Sequence, residues 1–218
     1  MHVQIVLFDG FDPLDVVAPF EVLAAGADAL DQEFTLELVS ADGPRAVVSG
    51  TRGLVLQATA GLDPSRPGYV VVPGASGPVA GDPDEGVETI PVLLARFGET
   101  AAVPLLRLAL ANPAVTVATV CGGSLALAMA GLIEGRHAVT HVLGLEVLAA
   151  TGTHAVPARV VDDGDLISAG GVTSGLDLGL YILEREYGPR IAHAVEQLFE
   201  YERRGTVWRP GGREPVAA

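Results

Sequence analysis

Short apolar runs alternate along this chain with segments whose apolar residues follow a helical spacing. Val3–Phe8, Tyr69–Val72 and Val115–Val120 are uncharged and mostly apolar, without the strict alternation of a half-exposed strand. Strands of this kind are buried on both faces, which is typical of a parallel sheet covered by helices on each side. The sequence therefore predicts an α/β fold with a mostly parallel sheet between two helical layers.

The same patterns predict the remaining elements, and at 218 residues one sizeable domain is expected. Further strands are predicted at Phe34–Ser40, Val47-Val48, Leu54–Gln57, Ala138–Thr140, Arg159–Asp162 and Leu166–Ala169. Helices are predicted at Leu14–Ala25, Gly122–Ala130, Val142–Ala150, Thr173–Tyr187 and Arg190–Arg203, and over Ile90–Ala111 with interruptions at Gly98 and Pro104. We expect one domain over residues 1–204 and an irregular tail, rich in Gly and Pro, over residues 205–218.

Charge and hydropathy restrict the partners. The chain has 27 acidic and 13 basic residues, a net charge of −14, which disfavours nucleic acid and anionic membrane surfaces as partners. The longest apolar run, Leu125–Ile133, is well short of the about twenty residues that a membrane span requires. The N-terminus has no basic start and no cleavage-type small residues. We expect a cytoplasmic protein, and its single cysteine excludes an internal disulfide and a multi-thiolate metal site.

Cys121 is the residue most informative about chemistry. It stands where the predicted strand Val115–Val120 turns into a helix through Gly122, Gly123 and Ser124. A nucleophile elbow needs small neighbours of this kind, which hold the side chain at the carboxyl edge of the sheet, where open α/β sheets bind ligands. The helix start predicts a thiol that ionises readily. The alternative is a buried, unreactive cysteine.

Other residues predict a site around this sulfur. Gly74 follows a core strand, and the N–H groups of Ala75 and Gly122 are candidate oxyanion donors, although Pro73-Gly74 could simply turn the chain. Asp15 lies among apolar residues just after the first strand, so we expect its carboxyl to be desolvated and protonated near neutral pH. Helix capping is the alternative role for such an aspartate, but Asp12 can serve as the cap.

No metal or cofactor is expected. His137 and His141 are four residues apart, but the segment between them favours a strand, in which this spacing is too long for one metal, and no third ligand is evident. His141 could approach Cys121 instead. The chain has neither a phosphate loop nor a dinucleotide fingerprint. Ser174-Gly175-Leu176-Asp177 resembles a capping box with Asp in place of Glu, which predicts a structural role for Asp177.

Several motifs together resemble the ThiJ/PfpI superfamily, within it the isocyanide hydratase family, from residue 3 to about residue 203. They are Val3-Gln4-Ile5 through Asp15 and Pro19, Val71-Val72-Pro73-Gly74, Thr119-Val120-Cys121-Gly122-Gly123-Ser124, Val139-Thr140-His141 and Ala169-Gly170-Gly171-Val172-Thr173-Ser174-Gly175-Leu176-Asp177. The resemblance implies a flavodoxin-like three-layer sandwich, related to class I glutamine amidotransferases, and a homodimer. It also implies the aspartate of the isocyanide hydratases, four residues before the proline of the first helix, at Asp15.

The resemblance implies that Cys121 and Asp15 hydrate a small neutral isocyanide to a formamide through a thioimidate. The sequence departs from the hydratases at Gly122, where they have Thr, and at Val142, where they have an aromatic residue. The stretch 85–104 is longer and could cover the site or build an interface. A histidine after the cysteine, as in the peptidase branch, is missing. Two alternatives stay open, an enzyme acting on methylglyoxal or its adducts and a non-catalytic cysteine sensor.

Overall fold

A seven-stranded sheet forms the centre of the computed structural model, which describes residues 1–31, 34–82 and 86–213. Its strand order is β10-β11-β7-β6-β1-β2-β5, and only β10 runs antiparallel to its neighbour. The strands of this sheet are β1 His2–Val6, β2 Thr35–Ser40, β5 Ala60–Gly61, β6 Gly68–Val72, β7 Val115–Val120, β10 Val160–Asp162 and β11 Leu166–Ala169. The prediction of a mostly parallel sheet is confirmed.

Two small strand pairs lie outside this sheet. The predicted hairpin is formed by β3 Arg45–Val48 and β4 Val55–Ala58, which pair antiparallel. The strands β8 His137–Ala138 and β9 His154–Ala155 pair parallel. Because His137 lies in an extended strand, it and His141 do not have the helical spacing of a metal pair.

Seven α-helices are described, and they cover both faces of the sheet. They are α1 Pro13–Leu30, α2 Ile90–Phe97, α3 Ala102–Ala111, α4 Gly123–Met129, α5 Leu145–Ala150, α6 Ser174–Tyr187 and α7 Pro189–Phe199. The helices α1, α6 and α7 pack together, whereas α2 packs on α4 and α3 packs on β7. The central strands are buried in this three-layer sandwich; β7, for example, is buried at every position except Thr116.

Three helix predictions were wrong at their ends or interruptions. The helix α1 runs through Pro19 to Leu30, because its packing on α6 outweighs the hydrogen bond that the proline cannot make. The packing is close, since a Cβ on Gly175 would lie 3.0 Å from Pro19 Cδ. Pro104 does not interrupt α3, since a proline in the first turn loses no helical hydrogen bond. The last helix ends at Phe199, where Glu200 adopts a left-handed φ of 48°.

In its described part, residues 205–213, the C-terminal segment has no helix and no extended strand. Residues 207–209 nevertheless dock on the edge of the sheet. Trp208 pairs with Val161 in an isolated bridge, in which its N–H donates to Val160 O at 3.0 Å and its carbonyl accepts from Asp162 N at 2.9 Å. Its ring lies 5.0 Å from that of His137. Two sets of residues lie outside the described part of the chain: 214–218 in the predicted tail, and 83–85, which include the first residue of the stretch 85–104.

Candidate active site

Cys121 occupies the sharp turn between β7 and α4. Its φ is 54°, a left-handed conformation that costs a non-glycine residue about 1 kcal/mol or more and is found where a structure imposes it. Two carbonyls of the neighbouring turn hold the backbone there, since Cys121 N donates to Ala169 O at 3.0 Å and to Gly170 O at 2.8 Å. The hydroxyl of Thr140 donates to Cys121 O at 2.8 Å. The side chain is 8% exposed, so the sulfur lies just below the surface.

The carboxyl of Asp15 lies beside this sulfur and is fully buried. Asp12 caps helix α1, with Leu14 N donating to its Oδ1 at 3.0 Å, so the capping role does not fall to Asp15. Asp15 Oδ2 accepts from Gly74 N at 2.9 Å, whereas Oδ1 has no hydrogen-bond partner among the described residues. Burial raises the pKa of Asp15 well above its usual value, and the charge of Asp12 adds to this rise. The expected rise in the pKa of a desolvated Asp15 carboxyl is confirmed.

The prediction of a readily ionised thiol was wrong. Burial and the negative charge of Asp15 raise the pKa of the Cys121 thiol to about 12, although the N–H groups of Val172 and Gly122 donate to the sulfur and oppose the rise. The sequence predicted the helix start that favours the thiolate but not the desolvation, which depends on how deeply the elbow lies in the fold. The hydrogen bond between the Cys121 thiol and the Asp15 carboxyl in turn opposes the rise in the pKa of Asp15.

Gly74 brings the end of β6 against the elbow. A Cβ at this position would lie 2.5 Å from Gly122 N, too close for any side chain, and 3.0 Å from Asp15 Oδ2. Gly74 O also accepts from Asp12 N at 2.9 Å. The glycine therefore both turns the chain and lets three elements meet, so the two interpretations of Pro73-Gly74 are compatible.

The two candidate oxyanion donors differ in their surroundings. Ala75 forms an isolated bridge with Phe11, but the two hydrogen bonds of that bridge come from Asp12 N and Ser76 N, so the bridge leaves Ala75 N–H unused. The N–H of Gly122 donates to the sulfur. The N–H of Val172 does the same, a role that sequence reasoning missed although Val172 lies within the Gly170–Asp177 motif.

His141 lies behind the turn that carries Val172. Its ring packs against Gly171, where a Cβ would be 2.7 Å from His141 Cδ2, and its Nδ1 accepts from Leu143 N at 3.2 Å. Asp177, predicted to complete a capping box, instead pairs with Arg159, because Arg159 Nε lies 2.8 Å from Asp177 Oδ2. The residue before α6, Thr173, makes no side-chain cap.

Helix α2, in the described part of the stretch 85–104, packs over the elbow. Leu94 is 1% exposed, and a Cβ on Gly122 would lie 3.2 Å from its Cδ1. The missing side chain at position 122 therefore points at Leu94. No group of three or more potential metal ligands occurs among the described residues, and none of their helices is long and apolar enough to cross a membrane.

Sequence comparison adds a relative that matches most of the chain. The isonitrile hydratase of Pseudomonas putida is 30% identical over 202 residues, which are 92% of this chain and 78% of that protein. Residues 97–185, which include the elbow, match the DJ-1/PfpI family. The chain belongs to the DJ-1/PfpI family. The resemblance to the ThiJ/PfpI superfamily is thereby confirmed.

Solved structures of DJ-1/PfpI proteins share the fold. A ThiJ/PfpI family protein from Pseudomonas syringae superposes with a TM-score of 0.74 at 24% identity, covering 94% of this chain and 76% of that one. DJ-1beta of Drosophila melanogaster gives a TM-score of 0.74 at 18% identity, covering 93% of this chain and 98% of that one. The flavodoxin-like sandwich is therefore confirmed.

Proposed function

We propose that this protein is an isocyanide hydratase, which adds water to a small neutral isocyanide, R–N≡C, to give an N-substituted formamide. The observation that carries the proposal is the pairing of a buried carboxyl, whose pKa is raised, with an elbow thiol. Asp15 Oδ1 has no partner among the described residues and lies in the same site as Cys121. A buried polar atom without a partner costs free energy, so its retention points to a bound reactant as its partner.

The first step adds the thiol across the terminal carbon of the isocyanide. Asp15 gives its proton to that carbon, the Cys121 sulfur forms the S–C bond to it, and the thiol proton passes to the Asp15 carboxylate. The product is the thioimidate R–N=CH–S–Cys121, and Asp15 is again neutral. A concerted proton exchange suits a thiol whose pKa is about 12, because no free thiolate has to accumulate.

The second step hydrolyses the thioimidate. Water adds to the carbon as the nitrogen takes up a proton, which gives R–NH–CH(OH)–S–Cys121. Collapse of this adduct forms the C=O bond of the formamide and breaks the C–S bond, and the hydroxyl proton returns to the sulfur through Asp15. In this step the N–H of Ala75, which has no hydrogen-bond partner among the described residues, is the candidate donor to the developing oxygen. The N–H groups of Gly122 and Val172 support the departing sulfur.

The chemistry of the site favours a neutral substrate. Its polar groups are a raised-pKa carboxyl, a raised-pKa thiol and backbone N–H donors. Among the described residues, no lysine or arginine is among the main groups that shift the pKa of either residue. An anionic substrate would therefore lack a counter-charge, whereas the isocyanide carbon needs only a soft nucleophile and a proton donor. The similarity to the isonitrile hydratase supports the same substrate class.

The structure does not favour the two alternatives. A redox sensor is expected to have an easily ionised thiol, but burial raises the pKa of Cys121 to about 12. An enzyme acting on methylglyoxal would use His141 as a base, but His141 Nδ1 already accepts from Leu143 N. A homodimer and a cytoplasmic location stay predictions that follow from the resemblance and the sequence.

The proposal is tested with p-nitrophenyl isocyanide. We expect formation of the formamide by the native protein, and a mass increase on Cys121 equal to one isocyanide when the reaction is quenched early. The Cys121→Ala variant should form neither product. A fully active Cys121→Ala protein, or lactate formation from methylglyoxal with no turnover of the isocyanide, would reject the proposal.

A further inference from the structure

The turn between β11 and α6, residues 170–173, contacts the nucleophile at two points. Gly170 O accepts from Cys121 N at 2.8 Å, and Val172 N donates to the Cys121 sulfur. Between them, Gly171 packs against the ring of His141. The position of this turn therefore determines where the nucleophile lies and how many donors its sulfur has.

Arg159 holds this turn from the other side. Its carbonyl accepts from Gly170 N at 3.0 Å, and its Nη2 donates to Thr173 Oγ1 at 2.9 Å. One residue thus bonds both ends of the turn, by its main chain at the first residue and by its side chain at the last. A planar guanidinium suits this role, because its Nε remains free to bond a carboxylate at the same time.

That carboxylate belongs to Asp177, which is 3% exposed. Its Oδ2 accepts from Arg159 Nε at 2.8 Å and from Tyr201 OH at 2.9 Å, while its Oδ1 accepts from Arg204 N at 2.9 Å. Three donors to one buried carboxylate place it rigidly and compensate its charge. The contacts connect the residue before β10, the first turn of α6 and the segment after α7.

We propose that Arg159 and Asp177 are positioning residues for the nucleophile, holding residues 170–173 so that the N–H of Val172 stays on the Cys121 sulfur. The inference deepens the proposed function, since it takes Cys121 as the reactive group, but it concerns the state of the thiol rather than the identity of the substrate. Neither residue touches the sulfur in this arrangement; both act through the turn.

Three titratable groups of the described residues lie near the thiol. Asp15 and Asp12 face it from the start of α1, and His141 lies behind Gly171. The pair formed by Arg159 and Asp177 lies beyond the turn, and its opposite charges compensate each other. Asp177→Asn leaves the charge of Arg159 and Arg159→Gln leaves that of Asp177, so the two variants change the nearby charge in opposite directions. A shift of the alkylation profile to higher pH in both variants would therefore report the position of the Val172 amide.

The test measures the rate of Cys121 alkylation by iodoacetamide against pH in the full chain. We compare the native protein with Asp177→Asn, Arg159→Gln and Arg159→Lys. Asp177→Asn and Arg159→Gln should move the alkylation profile to higher pH, because the thiolate loses one donor. At a fixed pH below the midpoint, we expect the alkylation rate of each variant to be about tenfold lower than that of the native protein. Arg159→Lys should give a profile between those of the native protein and Arg159→Gln, since lysine keeps the positive charge but lacks the several donors of a planar guanidinium.

Arg203→Gln is the matched control. Arg203 also joins α6 to α7 by ion pairs, to Glu184 and Glu196, but makes no contact with residues 170–173 in the described part of the chain. We expect this variant to lower the melting temperature while leaving the alkylation profile in place. An unchanged profile in Arg159→Gln, or an equal shift in Arg203→Gln, would overturn the proposal.

Two further outcomes separate this inference from the proposed function. If Arg159→Gln does not fold, Asp177→Asn and Arg159→Lys decide by the same profile. A profile that shifts as expected in a protein that does not turn over isocyanide would reject the proposed function and keep the positioning role. A protein that turns over isocyanide without the shift would reject the positioning role alone.

Discussion

The carboxyl of Asp15 and the thiol of Cys121 lie beside each other below the surface, and burial raises the pKa of each. Asp15 is fully buried and Cys121 is 8% exposed, so both groups lose much of the hydration that would stabilise a charge. The Asp15 charge would add to the rise in the pKa of the thiol. Burial therefore favours the protonated form of both groups, and the proposed addition and hydrolysis steps exchange their protons.

Replacement of Asp15 by Asn should abolish hydration of isocyanide and stabilise the fold. The amide keeps an acceptor for Gly74 N but has no acidic proton, so we expect activity to fall by about 10²–10⁴-fold. Because burial raises the pKa of Asp15 above 3.8, the contribution of this group to the free energy of unfolding is fully present below pH 3.8. That contribution is lost as the pH rises through the pKa of the folded state.

Asn does not titrate, so the gain in melting temperature from Asp15→Asn should be larger at pH 8 than at pH 4. Kinetics with p-nitrophenyl isocyanide and thermal unfolding at the two pH values measure both effects. Asp28→Asn is the control, because Asp28 is exposed near the other end of α1 and is not among the groups that shift the pKa of Asp15. Full activity in Asp15→Asn would contradict the assignment.

Alkylation of Cys121 should keep accelerating at a pH where an ordinary thiol is already fully ionised. The raised pKa, about 12 rather than 9.0, places the midpoint of the rate profile in strong base. Asp15→Asn removes the opposing carboxylate and should move this midpoint down. Stopped-flow alkylation with iodoacetamide measures the profile, and the urea-unfolded chain gives the reference near 9. A native midpoint at or below that of the unfolded chain is the contrary result.

Substitutions at Gly122 and Leu94 should have coupled effects on stability, because the two residues share one space. Gly122→Thr adds a Cβ 3.2 Å from Leu94 Cδ1, and we expect it to lower the free energy of unfolding by about 1–3 kcal/mol. Leu94→Ala alone leaves a cavity and should cost about 2–5 kcal/mol. The double variant should be more stable than the sum of the two losses predicts. Urea unfolding of the four proteins gives the coupling energy, and simple additivity would show that the two sites are independent.

Trp208 should stabilise the domain although it lies in the predicted irregular tail. Trp208→Ala removes a half-buried ring that lies 5.0 Å from the ring of His137, and we expect a loss of about 1–3 kcal/mol. Thr206→Ala, at an exposed position of the same segment, should change the stability by less than about 0.5 kcal/mol. Urea unfolding compares the three proteins. Equal stabilities would mean that the segment contributes nothing to the fold, as a domain ending at residue 204 implies.

The sequence by itself determined the layered α/β architecture and the place of the elbow. Short continuous apolar runs bounded by turn residues favour buried strands, and Cys121 followed by two glycines favours a sharp turn at the end of such a strand. The capping role of Asp12 was equally local, since it depends on the backbone within two residues. These features could be predicted because neighbouring residues cause them.

Only the tertiary structure decided the charge state of the thiol and the partners of Asp177. Desolvation of Cys121 depends on how the neighbouring elements close around the elbow, and Asp177 meets Arg159, Tyr201 and Arg204 from distant parts of the chain. Likewise, Pro19 stays within α1 because α6 packs against it. Burial and long-range contacts are properties of the assembled layers, so no local pattern of residues contains them.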